Sequence, residues 1–445
     1  MEITKFLDEH LVDFAIYDNY RMIGSYVDGL KPSMRKVVHV LDVMNIKSPV
    51  KVEQLTSKVA EATEYLHGAG SLAGVMVNMA STYAGTNNVN LLTPKGNFGT
   101  RCVQRAAAGR YIYTCKSEHF DRFFSKEDSP ILIEQEFEGT VIEPRYFLPT
   151  LPLILVNGSE GVGNGYSQKI LPRDPRVLAK AIETYIKTGK LPKSIPPFFA
   201  NFSGTVEATP DSQSSWTILG KVEKVDRTTL KITELPIGYD LEGYRKKLDE
   251  LEDKKIIRDY TDKSDGKNRF CFIVKVDSEF VKKDERWQLE RLKLIRRHGE
   301  NYTCLDENNA VREFGSEVEI LKAYCDFRLA KYTNRKAYIL EKIEADIKIL
   351  NAKRLFIQKV NDGSIKILKQ KKADLEAQLC KLSFEKQNDS YDYLLSMAIH
   401  SLTVEKAEEM LDKVSSLQKQ REDMLKTTEV DMWCKDLSAL KGMPK

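Results

Sequence analysis

Two stretches in the C-terminal third carry apolar side chains alternately three and four residues apart, a rhythm that draws the chain out of a single compact core. In the first, Leu340, Ile343, Ile347, Leu350 and Ile357 keep the pattern, with Arg354 in the remaining slot. In the second, Ala407, Met410, Val414, Leu417 and Met424 keep it, with Arg421 in the vacant place. So narrow a seam buries one stripe per helix and suits a single facing helix. The spacing predicts two antiparallel coiled-coil helices, over 331–362 and 404–445, joined by a helical knob over 363–403. Two helices packed into a compact bundle are the plainer alternative.

The remaining length requires further cores, since 445 residues exceed what one core organises. Hydrophobic content of 42% with 30% charged residues is that of an ordinary globular protein. Lysine and arginine outnumber the acids only by 69 to 65, so net charge says little about partners. Distribution says more. Lys95, Arg101, Arg105, Arg110, Lys116, Arg122 and Lys126 form a basic stretch with few acids between them, as a phosphate-contacting surface would. A merely solvated basic face is the alternative. The seven cysteines form no CxxC pair, which argues against a zinc site and a disulfide framework. The N-terminus is too acidic for a signal peptide, and no apolar run approaches the ~18 residues of a membrane span. The expected location is cytoplasmic, with no membrane partner.

Within residues 1–150, Val52, Leu55, Val59, Ala62 and Leu66 follow helical spacing, as do Leu72, Val75, Met76, Met79, Ala80 and Tyr83 after His67-Gly68. Two helices joined by a glycine-containing turn are similar to a helix-turn-helix. Strands are expected near Leu91 and over 110–114, which would complete a winged helix. Tyr111, directly after Arg110 and downstream of the GNFGTR turn, is the candidate nucleophile among 19 tyrosines. A phenol beside a guanidinium can attack a phosphodiester and store the bond energy as a phosphotyrosine ester. Tyr113 is the local competitor and is expected to face away from Tyr111.

The run LPLILVNGSEGVGNGYS (Leu151 to Ser167) reads as an apolar strand entering a glycine-rich turn. It lacks the GK[ST] ending of a nucleotide-binding loop. From Phe202 to Val276, β-rich stretches alternate with one helix near Gly243 to Leu251, so an α/β domain is expected over 151–330.

These segments, taken together, resemble the breakage-reunion region of type IIA DNA topoisomerases. GLKPSMRK (Gly29 to Lys36), KVEQLTSKVAEATEYLHG (Lys51 to Gly68), LLTPKGNFGTR (Leu91 to Arg101) and Arg110-Tyr111-Ile112-Tyr113 carry the likeness. So do IEPRYFLPTLPLILVNGSEGVGNGYS (Ile142 to Ser167), KITELP (Lys231 to Pro236) and YDYLLSMAIHSLT (Tyr391 to Thr403). The resemblance implies an α+β multidomain fold: a winged-helix DNA-binding domain, an α/β tower and a coiled coil ending in a helical dimerisation gate. It makes Tyr111 the nucleophile, Arg110 the charge stabiliser, and His67 and Arg21 groups that approach the scissile phosphate. Lys31, Arg35, Lys36, Lys95, Arg101 and Arg105 become DNA contacts. Val162 aligns with an isoleucine that wedges between base pairs, and one methylene less implies a shallower wedge. Gly70 and Gly74 stand where bacterial relatives carry a hydroxyl and an acid that anchor quinolones.

Neither a glycine-rich ATPase signature nor the Toprim EGDSA and Asp-x-Asp motifs occur in the sequence. The resemblance therefore implies that Mg²⁺ and ATP are bound by a separate large subunit carrying the ATPase and Toprim modules. The expected assembly is a homodimer on double-stranded DNA, relaxing and decatenating it by transient double-strand breaks. The motifs resemble the eukaryotic topoisomerase II core and the phage-like branch more than bacterial gyrase, and the initiating Met and the end at Lys445 are similar to the medium subunit of T-even-type bacteriophage topoisomerases. A core fragment of a single-chain enzyme, and a non-catalytic architectural dimer that keeps the fold, are the alternatives.

Overall fold

The first apolar seam lies on a helix of 45 residues, Glu317–Asn361, in a computed structural model that describes residues 3–7, 11–210, 212, 214–367 and 370–440. Residues 441–445, the last of the second helix and C-terminal return expected over 404–445, lie outside the described residues. The helix begins well before the expected residue 331. Its start was legible: the Glu319 amide donates to Ser316 Oγ and the Glu319 carboxylate accepts from the Gly315 amide, a capping arrangement written as Ser-x-x-Glu. The early turns bury Ile320, Leu321, Tyr324 and Cys325, a broader face than the seam that follows. Chain contacts divide the molecule into one unit of residues 1–329 with 433–445 and a second of 330–432.

In the second unit helix Val404–Lys426 and the first residues, 429–432, of helix Glu429–Ala439 follow the long one. Lys336 pairs with Glu429, and Glu344 with Arg421, so eight residues up the long helix correspond to eight residues down the returning chain. The two partners therefore run antiparallel. Ile343, Ala407 and Val414 are buried in the seam, while Arg421 fills its vacant slot with an ion pair rather than an apolar contact. Beyond the seam, Phe356, Ile365, Leu379, Phe384, Tyr391 and Leu394 form a separate small core around the short helices Lys372–Lys381 and Asp392–Leu395.

In the first unit, helices Pro32–Val43, Val52–Ala62 and Ala69–Ala80 pack on one another. They bury Val37, Val38, Leu41, Leu55, Val59, Leu72 and Met76, the positions their periodicity singles out. A three-stranded antiparallel sheet follows, with Tyr113–Lys116 between Val50–Lys51 and Leu92–Lys95. The strand expected over 110–114 is displaced by three residues because Gly109 to Tyr111 form a turn. The apolar run expected as a strand is a one-turn helix, Leu153–Val156, all four residues buried. A continuous apolar run fits either element when both faces are covered, and Pro152 at its start favours the helix. Further on, four antiparallel strands run in the order Lys221–Lys224, Thr229–Glu234, Phe272–Lys275 and Asp259–Asp262. Helix Leu241–Asp253 shares their core through Tyr244, Leu248 and Leu251. A second, three-stranded sheet runs Ile295–Gly299, Ser215–Leu219, Thr205–Ala208.

Buried ion pairs tie these layers together. Arg173 donates to Glu300, whose carboxylate also accepts from Trp216 Nε1 and Tyr302 Oη, and Arg328 pairs with Asp128 at 2.6 Å. Arg35, expected on the DNA surface, is instead 1% exposed and donates to Asp28 at 2.7 and 3.2 Å. Asp28 also accepts from the amides of Leu30 and Phe147, so it stitches a turn to a distant loop. Removing one member leaves a buried charge unpaired, which costs about 3–5 kcal/mol. Arg35→Ala is expected to lower the urea midpoint accordingly while leaving the salt dependence of DNA binding unchanged. A flattened salt slope would return Arg35 to the phosphate surface.

Candidate functional site

Tyr111 is 68% exposed beside a buried Ile112. Its amide donates to Ala108 O at 2.9 Å, closing the turn that precedes strand Tyr113–Lys116. Two neighbours fix that turn. The amides of Val52 and Glu53 donate to Ile112 O and Gly109 O at 3.0 and 3.3 Å. Helix Val52–Ala62 has no side-chain cap, so these carbonyls take up donors that helix geometry leaves orphaned. On the other side the GNFGTR turn braces the loop, with the Ala107 amide donating to Asn97 O at 2.9 Å. Gly96 has φ +107° and lies so close that a Cβ there would stand 3.0 Å from Ile112 Cγ2. Glycine is required on both counts.

The Arg110 guanidinium lies over the Tyr111 ring, 5.2 Å from its centroid. Lys95, Arg105 and Arg110 are exposed around it, as expected of a phosphate surface. Arg101 is not. It is 2% exposed, donates to the carbonyls of Leu235 and Pro236 at 2.7 and 3.3 Å, and stacks on Phe270. Its planar fork staples the GNFGTR turn to the four-stranded sheet, a use of arginine that sequence alone does not distinguish from DNA contact. Lys116 is likewise buried between Asp42 and Asp121. Nor does pleat alternation separate Tyr113 from Tyr111. Tyr113 is 40% exposed, Tyr111 precedes the strand, and residues two apart on a strand share a face in any case.

A second cluster lines a cavity of about 440 Å³ that includes Tyr17, Arg21, Lys31, Lys36, Tyr65 and His67. Tyr17 and Arg21 are one turn apart on helix Val12–Met22, which stacks the guanidinium 5.6 Å from the phenol ring. The Tyr17 hydroxyl and His67 Nε2 share a hydrogen bond of 3.1 Å, and Tyr65 packs edge-on to the imidazole. Burial, then the Arg21 charge, pushes the His67 pKa down. Burial also lowers that of Lys31, whose ammonium donates to Glu160 O at 2.8 Å. Lys36, expected to touch DNA, is turned inward to Glu143 and Thr63 O. Tyr17 and Tyr65 were missed by sequence reasoning; the one-turn spacing of Tyr17 to Arg21 was the available signal.

The two clusters do not meet in one chain. The Tyr111 turn caps the start of helix Val52–Ala62, while His67 lies five residues beyond its end. That helix of 11 residues is about 16 Å long, more than a tyrosine side chain spans. The fold therefore does not bring His67 to Tyr111.

Known proteins are similar to this chain. The family model that describes the A subunits of DNA gyrase and topoisomerase IV matches residues 21–438. The chain belongs to this family. It is 33% identical to DNA topoisomerase 2 of Plasmodium falciparum over 97% of this chain and 34% of that protein. It is 32% identical to DNA topoisomerase 2 of Arabidopsis thaliana over 98% of this chain and 33% of that one. The crystal structure of the Plasmodium falciparum topoisomerase II DNA-binding, cleavage and re-ligation domain superposes with a TM-score of 0.89 at 34% identity, covering 98% of this chain and 63% of that chain. The chain thus spans about a third of the length of these curated relatives.

Val162, the expected wedge of this family member, is 73% exposed at the end of strand Ser159–Val162, which pairs with Ser167–Ile170. Gly70 and Gly74 lie on the open face of helix Ala69–Ala80, where an added Cβ would meet nothing within 4 Å. No described helix is long and apolar enough to cross a membrane. Among the described residues no group of three or more His, Cys, Asp or Glu is placed to hold a metal ion.

The cavity makes a titration prediction. His67 should titrate below the ordinary value of about 6.5 and be neutral at pH 7, and Arg21→Leu should raise its midpoint, read from the imidazole proton shifts. Since the folded state holds this proton less tightly than the unfolded chain, the stability His67 contributes is full above pH ~6.5 and lost as pH falls through the folded value. A midpoint unmoved by Arg21→Leu would remove Arg21 as a cause.

Proposed function

We propose that the chain is the DNA-cleaving and rejoining core of an ATP-dependent type IIA topoisomerase. The observation that carries the reading is the exposed Tyr111 phenol beneath Arg110, on a turn fixed by helix amides. In cleavage the Tyr111 Oη–P bond forms as the P–O3′ bond breaks. The phenol loses its proton, the 3′-oxygen gains one, and a 5′-phosphotyrosyl ester results. Religation runs the same exchange backwards. Arg110 leaves its position over the ring to grip phosphate oxygens, which a guanidinium holds two at a time.

Because Tyr111 and the Arg21–His67 cavity lie at opposite ends of one helix, each site is completed by a second copy of the chain. One copy supplies Tyr111 and Arg110; the other supplies Arg21 and His67. Two such sites cut opposite strands, and a second duplex passes between them. The small core around Phe356 and Tyr391 serves as the dimer gate. Mg²⁺ and ATP are held by another component of the assembly, a separate Toprim/ATPase subunit or further domains of the same polypeptide. The relatives named above are eukaryotic and lend the bacteriophage likeness no support. Relaxation and decatenation of DNA are the outcomes proposed.

Mixed dimers test the arrangement. With the metal- and ATP-binding component, Mg²⁺ and plasmid, copies carrying Tyr111→Phe and copies carrying Arg21→Ala should each form almost no covalent adduct. When the two are mixed, each heterodimer should regain one of its two sites and yield nicked, protein-linked plasmid. If sites are built within one copy, mixing restores nothing. Adduct formation by Tyr111→Phe alone would overturn the nucleophile. Quinolone trapping of breaks should be weak, and Gly70→Ser with Gly74→Glu, for which the helix face has room, should increase it.

A further inference from the structure

Two of the three glycines in the GVGNG segment, Gly161 and Gly163, are there for a reason unrelated to phosphate binding. A Cβ on Gly161 would stand 2.0 Å from Met22 O, and one on Gly163 would stand 2.1 Å from Asn19 Oδ1. Both obstacles belong to helix Val12–Met22, which therefore lies directly against the backbone on either side of Val162. Asn19 is 6% exposed, and its amide Nδ2 donates to Asn164 O at 3.1 Å, across the hairpin tip. Its Oδ1, pressed on Gly163, has no hydrogen-bond partner among the described residues. A buried acceptor left unpaired is a cost to the fold.

The base of the hairpin is held separately. Gln168, 1% exposed, accepts from the Gly24 amide at 2.9 Å and donates to Gly24 O and Thr303 O. Lys31 adds its bond to Glu160 O. An apolar side chain that unstacks base pairs must bear the load of the bent duplex, and a two-stranded hairpin alone is too weak for that. Here the load passes to the helix that also carries Arg21.

We infer that Asn19 is a positioning residue that braces the Val162 wedge against helix Val12–Met22, so that the hairpin can bend DNA and the wedge and the cleavage-site cation move as one body. The inference rests on the proposed function, in which Val162 enters the duplex.

The test needs only this chain and DNA: fluorescence energy transfer between dyes on the two ends of a duplex reports its bending. The parent chain should bend an intact duplex, and Val162→Ala should not. Asn19→Asp, which sets a carboxylate against Asn164 O, should lower the bent fraction at least about fivefold, the loss of a single hydrogen bond. Gly163→Ala, acting from the opposite side of the contact, should do the same. On a duplex carrying an unpaired bulge at the wedge step, where unstacking is already made, both variants should bend DNA as the parent does. That recovery is what a merely misfolded chain could not give. If the parent bends DNA and Val162→Ala abolishes it, but Asn19→Asp and Gly163→Ala bend an intact duplex like the parent, the brace is wrong and the wedge stands. Equal loss on intact and bulged duplexes also overturns the brace, as a general folding defect. If the parent bends no duplex, the wedge reading fails, and the brace with it.

Discussion

Two backbone amides hold the chemistry of this chain in place. Val52 and Glu53 begin a helix with no side chain to cap it, and they find acceptors in Ile112 O and Gly109 O on either side of Tyr111. The helix start and the tyrosine turn thus satisfy each other, and neither could shift without orphaning buried polar groups. Everything near the phenol follows from that constraint: the turn displaces the strand to Tyr113, Gly96 must lack a side chain, and Arg101 is spent on anchoring the GNFGTR turn. The same helix, by its length, keeps His67 away from Tyr111. The element that fixes the Tyr111 turn thus also sets its distance from the Arg21–His67 cavity.

Helix Val12–Met22 plays a corresponding part at the other end. One of its faces presents Tyr17 and Arg21 to His67, and another presses Asn19 and Met22 O on the glycines beside Val162. The Arg21–His67 cavity and the Val162 hairpin are therefore parts of one packing arrangement, although Asn19 and Asn164 are 145 residues apart in sequence. The glycine-rich segment lacks the ending of a nucleotide-binding loop; Gly161 and Gly163 answer instead to the close approach of Met22 O and Asn19 Oδ1.

Periodicity gave the long helices, the helix pair before the sheet and the alternation of strands around helix Leu241–Asp253, because burial on one face leaves a repeating trace. It failed at Leu153–Val156, where burial on every side erases the period, and at the start of the long helix, where a broad buried face replaces the narrow seam. Charge was the least legible feature. Lys95, Arg105 and Arg110 are exposed, whereas Arg35, Lys36 and Arg101 are turned into carboxylates and carbonyls. A cation pairs with phosphate or with a buried acceptor by the same chemistry, and nothing local in the sequence says which.

The sequence by itself determined most of the elements and, through its motifs, the family, and it singled out Tyr111 with Arg110 as the candidate pair, since these depend on side-chain type and short-range spacing. Tertiary structure alone decided which cations remain free to meet phosphate, that Tyr111 and His67 lie a helix apart, and that Asn19 stands behind Val162. Those facts depend on which distant backbone groups need a hydrogen-bond partner and on how closely two segments can approach. Neither is written in any one stretch of residues.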